Sequence, residues 1–200
     1  MTRPRRLGDA GQAFPIYITV VAGLLFLAFA YLAVGQAAVN RNSAQTAADA
    51  AALAAAQDTR DQLAGKWADA VLDPTKWQDF LGGDAAQLNG CWRAYQLAQQ
   101  NDARVEDCQP QPTALKYTVY VQSAKAVGKS IVPGTESVRS KAHASAVIKP
   151  LCTFDPPTEG AEDTDLLPRL TCKDKHWDLD PDHLMDLPRP EDLFDVHLVE

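Results

Sequence analysis

Residues 13–39 read AFPIYITVVAGLLFLAFAYLAVGQAAV, and no charged residue stands between Asp9 and Arg41. About 20 apolar residues are enough to cross a bilayer as a helix. A core helix of a soluble protein would turn a polar face to water every few residues, and this stretch has none. It therefore predicts one transmembrane helix over 13–39, with Pro15 in the first turn, where a missing N–H costs little. The competing reading is a cleaved secretory signal. The basic start (Arg3, Arg5, Arg6) and the small-residue site Ala28-Phe29-Ala30 fit it, but the apolar run is about twice the usual 7–15 residues. Both readings carry the rest of the chain out of the cytoplasm. Three arginines before the helix against Arg41 after it predict a basic cytoplasmic segment over 1–12 and an exported C-terminal side.

Working outward, the helix has no reason to stop at the membrane. From Asn42 the chain reads NSAQTAADAAALAAAQD, rich in the best helix former, and no breaker occurs before Gly65. An extension helix over 40–65 is predicted, and a single helix from Phe14 to Leu63 would be about 75 Å long. Its small residues form rows: Ala44, Ala48, Ala52 and Ala56, with Ser43, Ala47, Ala51 and Ala55 beside them. Ala33 and Ala37 continue the spacing inside the apolar run. Such rows let two backbones approach closely. Leu53 and Leu63 are the only large apolar residues between Asn42 and Gly65, so this helix buries little area by itself. The expectation is that Ala44, Ala47, Ala48, Ala51, Ala52, Ala55 and Ala56 pack against helices of partner proteins or of a second copy. An alanine-rich stalk without a partner is the alternative.

Residues 66–150 read as a small α+β domain. Broken helical segments, KWADAVLD, PTKWQDFLGG and DAAQLNGCWRAYQLAQQN, are punctuated by Pro74 and Gly82-Gly83. Trp67, Val71, Leu72, Trp77, Phe80, Leu81, Leu88, Trp92, Tyr95 and Leu97 are expected to form its core. The period then becomes two. Leu115, Tyr117, Val119 and Val121 alternate with polar residues. Val138, Ser140, Ala142, Ala144, Ala146 and Ile148 share one face of a second run. With a turn at Pro133-Gly134, these predict a long antiparallel pair, and the small residues of its second strand would let a helix lie close on the sheet.

Charge is distributed unevenly over the 200 residues, whose net is −7. Residues 150–200 hold seven prolines and 14 acids against four Lys/Arg, a net of −10, leaving +3 for residues 1–149. A uniformly basic nucleic-acid binder is excluded by the sign. The composition of 151–200, with Pro156-Pro157, TEGAEDTD and Pro188-Arg-Pro190, predicts a mostly irregular acidic tail, locally pinned if Cys152 and Cys172 are bridged. Trp177, Leu179, Leu184, Met185, Leu187, Leu193 and Phe194 would let parts of it dock.

Four cysteines, Cys91, Cys108, Cys152 and Cys172, stand on the exported side, and none forms a C-x-x-C. An even count in an oxidising compartment points to two disulfides. Three pairings exist. Cys91–Cys108 with Cys152–Cys172 is favoured because each encloses one short segment, and four buried free thiols is the alternative.

No catalytic constellation is evident, and no cofactor is expected. Gly128-Lys129-Ser130 resembles the end of a phosphate loop, but Ser123 stands where its first glycine belongs. Asp178, Asp180 and Asp182 have the spacing that opens a calcium loop, yet His183 and Arg189 replace its glycine and its bidentate acid. They read as a solvated acidic turn. His143, His176, His183 and His197 have no zinc-pair spacing on a helical face.

Gly11-Gln12-Ala13 opening an uncharged helix, the polar Asn40-Arg41-Asn42 edge and the run from Gln45 to Ala56 resemble TadE/TadG-like Flp pilus-assembly proteins over residues 8–57. The strand pair ending near Pro150 is similar to their C-terminal parts. The resemblance implies a single-pass, minor pseudopilin-like or accessory envelope component. It would act by assembly with other pilus or envelope proteins in the cell membrane. Prepilin-type processing favours a glycine followed at the fifth position by Glu. Gly8 places Ala13 there and Gly11 places Ile16, so the helix is expected to be retained whole. The alternative function is an exported binding module for glycan, calcium or protein, using Trp67, Trp77, Trp92 or the acidic tail.

Overall fold

In a computed structural model of the chain, the described residues are 13–83, 89–126, 136–155 and 167–199. Helix α1 runs without interruption from Ala13 to Asp69, about 85 Å at 1.5 Å per residue. Short helices α2 (Trp77–Leu81) and α3 (Cys91–Gln100) follow. Strands β1 (Ala103–Gln111), β2 (Lys116–Ser123) and β3 (Lys141–Pro150) come next. The C-terminal part adds β4 (Cys152–Thr153), β5 (Leu170–Cys172), β6 (Lys175–Trp177), one turn of helix α4 (Pro190–Leu193) and β7 (Phe194–Val199). This is an α+β fold with an apolar N-terminal helix long enough to cross a membrane.

The main sheet has the order β1-β2-β3-β7, every pair antiparallel. The expected central pair is there: Tyr117 faces Ala146 and Val119 faces Ala144. Alternation puts Tyr117, Val119 and Val121 with Ala144, Ala146 and Ile148 on the face covered by α1, all of them buried. The other face carries Thr118 and Ser145, whose hydroxyls meet at 2.8 Å, and Tyr120 stacked on His143 at 5.3 Å. The turn expected at Pro133-Gly134, the Gly128-Lys129-Ser130 segment, Leu88 and Pro156-Pro157 lie outside the described residues, as do residues 1–12.

Strand β1 lacks the alternation that marks β2, for a physical reason. A bulge between Val105 and Asp107 shifts the register. Inward positions therefore run Ala103, Val105, Cys108, Pro110, and the period of two is broken once. Pro110 is tolerated because β1 is an edge strand.

The C-terminal segment, expected to be mostly irregular, is pinned by Cys152–Cys172 and docks through its apolar residues, and it also supplies strands. Strands β4, β5 and β6 form a second sheet, and β7 completes the main one, pairing Val196 with Ile148 and Phe194 with Pro150. Leu170, Leu193 and Phe194 are fully buried and Leu179 nearly so. A few well-spaced apolar residues overcame the acidic average. On β7, Phe194 and Val196 face the core while Asp195 and His197 face outward.

The helical region also corrects part of the expected core. Trp67, Val71, Trp77 and Leu81 are buried, and Trp77 makes edge contact with Phe154 at 5.1 Å. Leu72, Trp92 and Tyr95 are exposed. Helix α3 turns Cys91, Ala94 and Ala98 inward instead. It lies so close to α1 that only small side chains fit between them.

Candidate membrane span and helix-packing surface

The first half of α1 touches almost nothing. From Phe14 to Val39 every large apolar side chain is exposed, Tyr31 most of all at 80%. This length is about 39 Å, against roughly 30 Å of bilayer hydrocarbon. A bare apolar surface of that extent calls for lipid or another apolar partner. The Thr19 hydroxyl donates to the Pro15 carbonyl one turn back.

The transition occurs at Asn40. Its amide donates to the Lys125 carbonyl at 3.4 Å, and the Ser123 hydroxyl lies 3.2 Å from its carbonyl oxygen. Ser123 also accepts from the backbone N–H of Ser140 at 3.1 Å. One polar side chain thus ties α1 to the ends of β2 and β3 just where the apolar run finishes. From the sequence, Asn40 is legible only as a polar edge.

Beyond Asn40 one face of the helix is buried. Ala44, Ala47, Ala48, Ala51, Ala52, Ala55 and Ala56 are each 1% exposed or less. They face β2, β3 and α3 of this same chain. The expectation of partner helices on these rows is corrected accordingly: the chain's own sheet already covers them. The small-residue spacing reports close backbone approach, and Ala144 and Ala146 on β3 answer it from the other side.

The α1–α3 contact is tightest at Gly90, where an added Cβ would stand 2.1 Å from the Ala55 carbonyl oxygen. The buried hydroxyls of Thr59 and Tyr117 meet at 2.6 Å, and the Gly90 N–H donates to the Tyr117 oxygen at 3.0 Å. Outside this contact, Trp92 Nε1 donates to Asp58 at 3.0 Å, and the Arg93 guanidinium lies 5.6 Å from the Trp92 ring centre.

Two disulfides join Cys91 to Cys108 and Cys152 to Cys172. The first staples the start of α3 to β1 across 17 residues, and the second staples β4 to β5 across 20. Loops of this size contribute about 3 kcal/mol each in the chain-entropy account.

The acidic turn is engaged in local bonds. Asp178 pairs with Arg169. Asp180 accepts from the Asp182 N–H at 2.9 Å and meets His183 at 3.0 Å. The Asp182 N–H, then His183, holds the Asp180 carboxyl below the usual carboxylate range. No group of three or more His, Cys, Asp or Glu side chains arranged to hold a metal occurs among the described residues. Of the three tryptophans considered for ligand contact, Trp67 and Trp77 are buried in the core, and Trp92 alone is on the surface.

No curated protein and no solved structure matches this chain. One family does: the sequence model of Tad, described as "Putative Flp pilus-assembly TadE/G-like", matches residues 11–58, the stretch that takes in both the bare span and the buried alanine rows.

Proposed function

We propose that the chain is a single-pass, membrane-anchored accessory component of a Flp-type pilus or a related envelope apparatus. Residues 1–12 lie in the cytoplasm, 13–39 span the membrane, and 40–200 form the body outside. The observation that carries this reading is a single continuous helix, bare and apolar for its first half and packed along one face on its own sheet for the second. The Tad match covers that same helix. Two disulfides support an oxidising compartment for the body. The protein acts by assembly. Its contacts with other components, or with further copies, use the bare part of α1 and the outer faces of the body, because the alanine rows are occupied.

The test is the mass of the mature chain extracted from its native membrane without reductant, paired with protease treatment of intact spheroplasts. Support is an intact N-terminus, a mass about 4 Da below the fully reduced value for two bridges, and a body digested from outside. Loss of residues up to the small-residue site at Ala28-Phe29-Ala30 overturns the anchor. A body protected from protease overturns the orientation.

A further inference from the structure

A notch of about 610 Å³ opens where α1 leaves the sheet. Tyr31, Leu32 and Val39 of α1 form its apolar wall, and Asn40, Asp102 and Lys125 lie on its polar side. Counted from Phe14, about 20 residues fill the hydrocarbon, so the helix reaches headgroup level near Gly35. The headgroup layer then takes roughly another 5–8 Å, which brings it to Asn40. The notch therefore stands at the bilayer surface, apolar towards the acyl chains and charged towards the headgroups.

Its charged wall is an ion pair, with Lys125 Nζ 2.8 Å from the Asp102 carboxylate and both side chains mostly exposed. Their backbones are held firmly. Asp102 sits at φ +52° in the turn between α3 and β1, and its carbonyl accepts from the Ala124 N–H at 2.7 Å. The Lys125 carbonyl is tied to Asn40. An exposed pair of this kind contributes little by itself, so its two charges re-pair with an outside dipole at small cost.

The geometry points to a binding site for one phospholipid with a primary-amine zwitterionic headgroup, of the phosphatidylethanolamine class. The Lys125 ammonium takes the phosphate and the Asp102 carboxylate takes the headgroup ammonium. One acyl chain runs along Tyr31 and Leu32. A trimethylated choline headgroup has no N–H to give Asp102, and a glycerol headgroup has no positive charge. The site therefore discriminates by chemistry at Asp102 and holds by charge at Lys125.

The inference rests on α1 spanning the bilayer, and one preparation separates the two. The full chain is reconstituted in nanodiscs of equimolar phosphatidylethanolamine, phosphatidylcholine and phosphatidylglycerol. Lipids retained on release are counted by native mass spectrometry, and alkaline extraction of a parallel sample reports anchoring. The wild type is expected to retain one phosphatidylethanolamine about tenfold over phosphatidylcholine, the ratio for one charge-assisted bond. Lys125→Gln should retain neither. Asp102→Asn, which suits a left-handed backbone, should keep a lipid but lose the preference. An anchored chain whose retained lipids mirror the bulk mixture, or whose preference survives both single variants, overturns the notch alone. A chain released by alkali overturns the span and the notch together.

Discussion

At Gly90 an added Cβ would stand 2.1 Å from the Ala55 carbonyl oxygen, so its hydrogen is all that the α1–α3 contact accommodates there. A methyl group there would run into the Ala55 carbonyl, which belongs to a continuous helix and cannot move aside. Gly90→Ala must therefore push α3 away from α1. The shift would stretch the Gly90 N–H bond to Tyr117, whose hydroxyl also meets Thr59. The expected cost is about 2–3 kcal/mol from overpacking, read as a Tm lowered by roughly 5–10 °C for a chain of this size. An unchanged Tm would mean that α3 lies farther from α1 than the structure places it. Nothing in the sequence singles out Gly90 from Gly82, Gly83 or Gly65, because the clash that requires glycine lies 35 residues away in the chain.

The same limit governs whole elements. Apolar length marked the first half of α1 as a candidate membrane span, since 27 residues without a charge have few readings. Alternation betrayed β2 and β3, each buried on one face. The alanine rows betrayed close packing but not its partner: a small-residue face looks the same whether a sheet of its own chain or a neighbouring helix lies on it. Strand β1 was hidden by its bulge, and α3 was misread because its aromatics, Trp92 and Tyr95, face outward while Ala94 and Ala98 face in. The choice between an occupied and a vacant alanine face can be measured. Ala51→Leu forces an isobutyl group into the α1–sheet interface, where Ala51 is completely buried. It should destabilise the body by about 1–3 kcal/mol or more. Ala37→Leu, on the exposed stretch of the same helix, should leave thermal unfolding unchanged. If Ala51→Leu melts like the wild type and only partner association falls, the rows face other molecules after all.

At the scale of the molecule, distant segments meet in one core: α1 beyond Asn40 lies on a sheet whose outer strand is β7. Composition makes residues beyond Pro150 a mostly irregular acidic tail that docks in parts, and β7 shows how far the docking goes. Strand β7 caps the β3 edge from Ser145 to Pro150, and Phe194 is 1% exposed. Just before it, Asp192 receives Lys175 at 3.2 Å and the Arg189 N–H at 3.2 Å, so α4 is tied to β6. Burial raises the Asp192 carboxyl, but those two partners outweigh it and hold the group below its ordinary value. Truncation after Leu193 would therefore remove Phe194 from the core, a loss of about 3–5 kcal/mol for an aromatic truncated to nothing larger than alanine. It would also bare a row of unpaired β3 backbone groups, an open edge prone to association. The expected outcome is a chain that remains in the membrane but whose body is cut rapidly by protease and aggregates on solubilisation. Restoring residues 194–199 with Asp195 and His197 both changed to Ser should recover protease resistance, since those two side chains face outward. A truncated body as resistant as the intact one would show that the sheet closes without β7, and would return the acidic segment to the role its composition suggests.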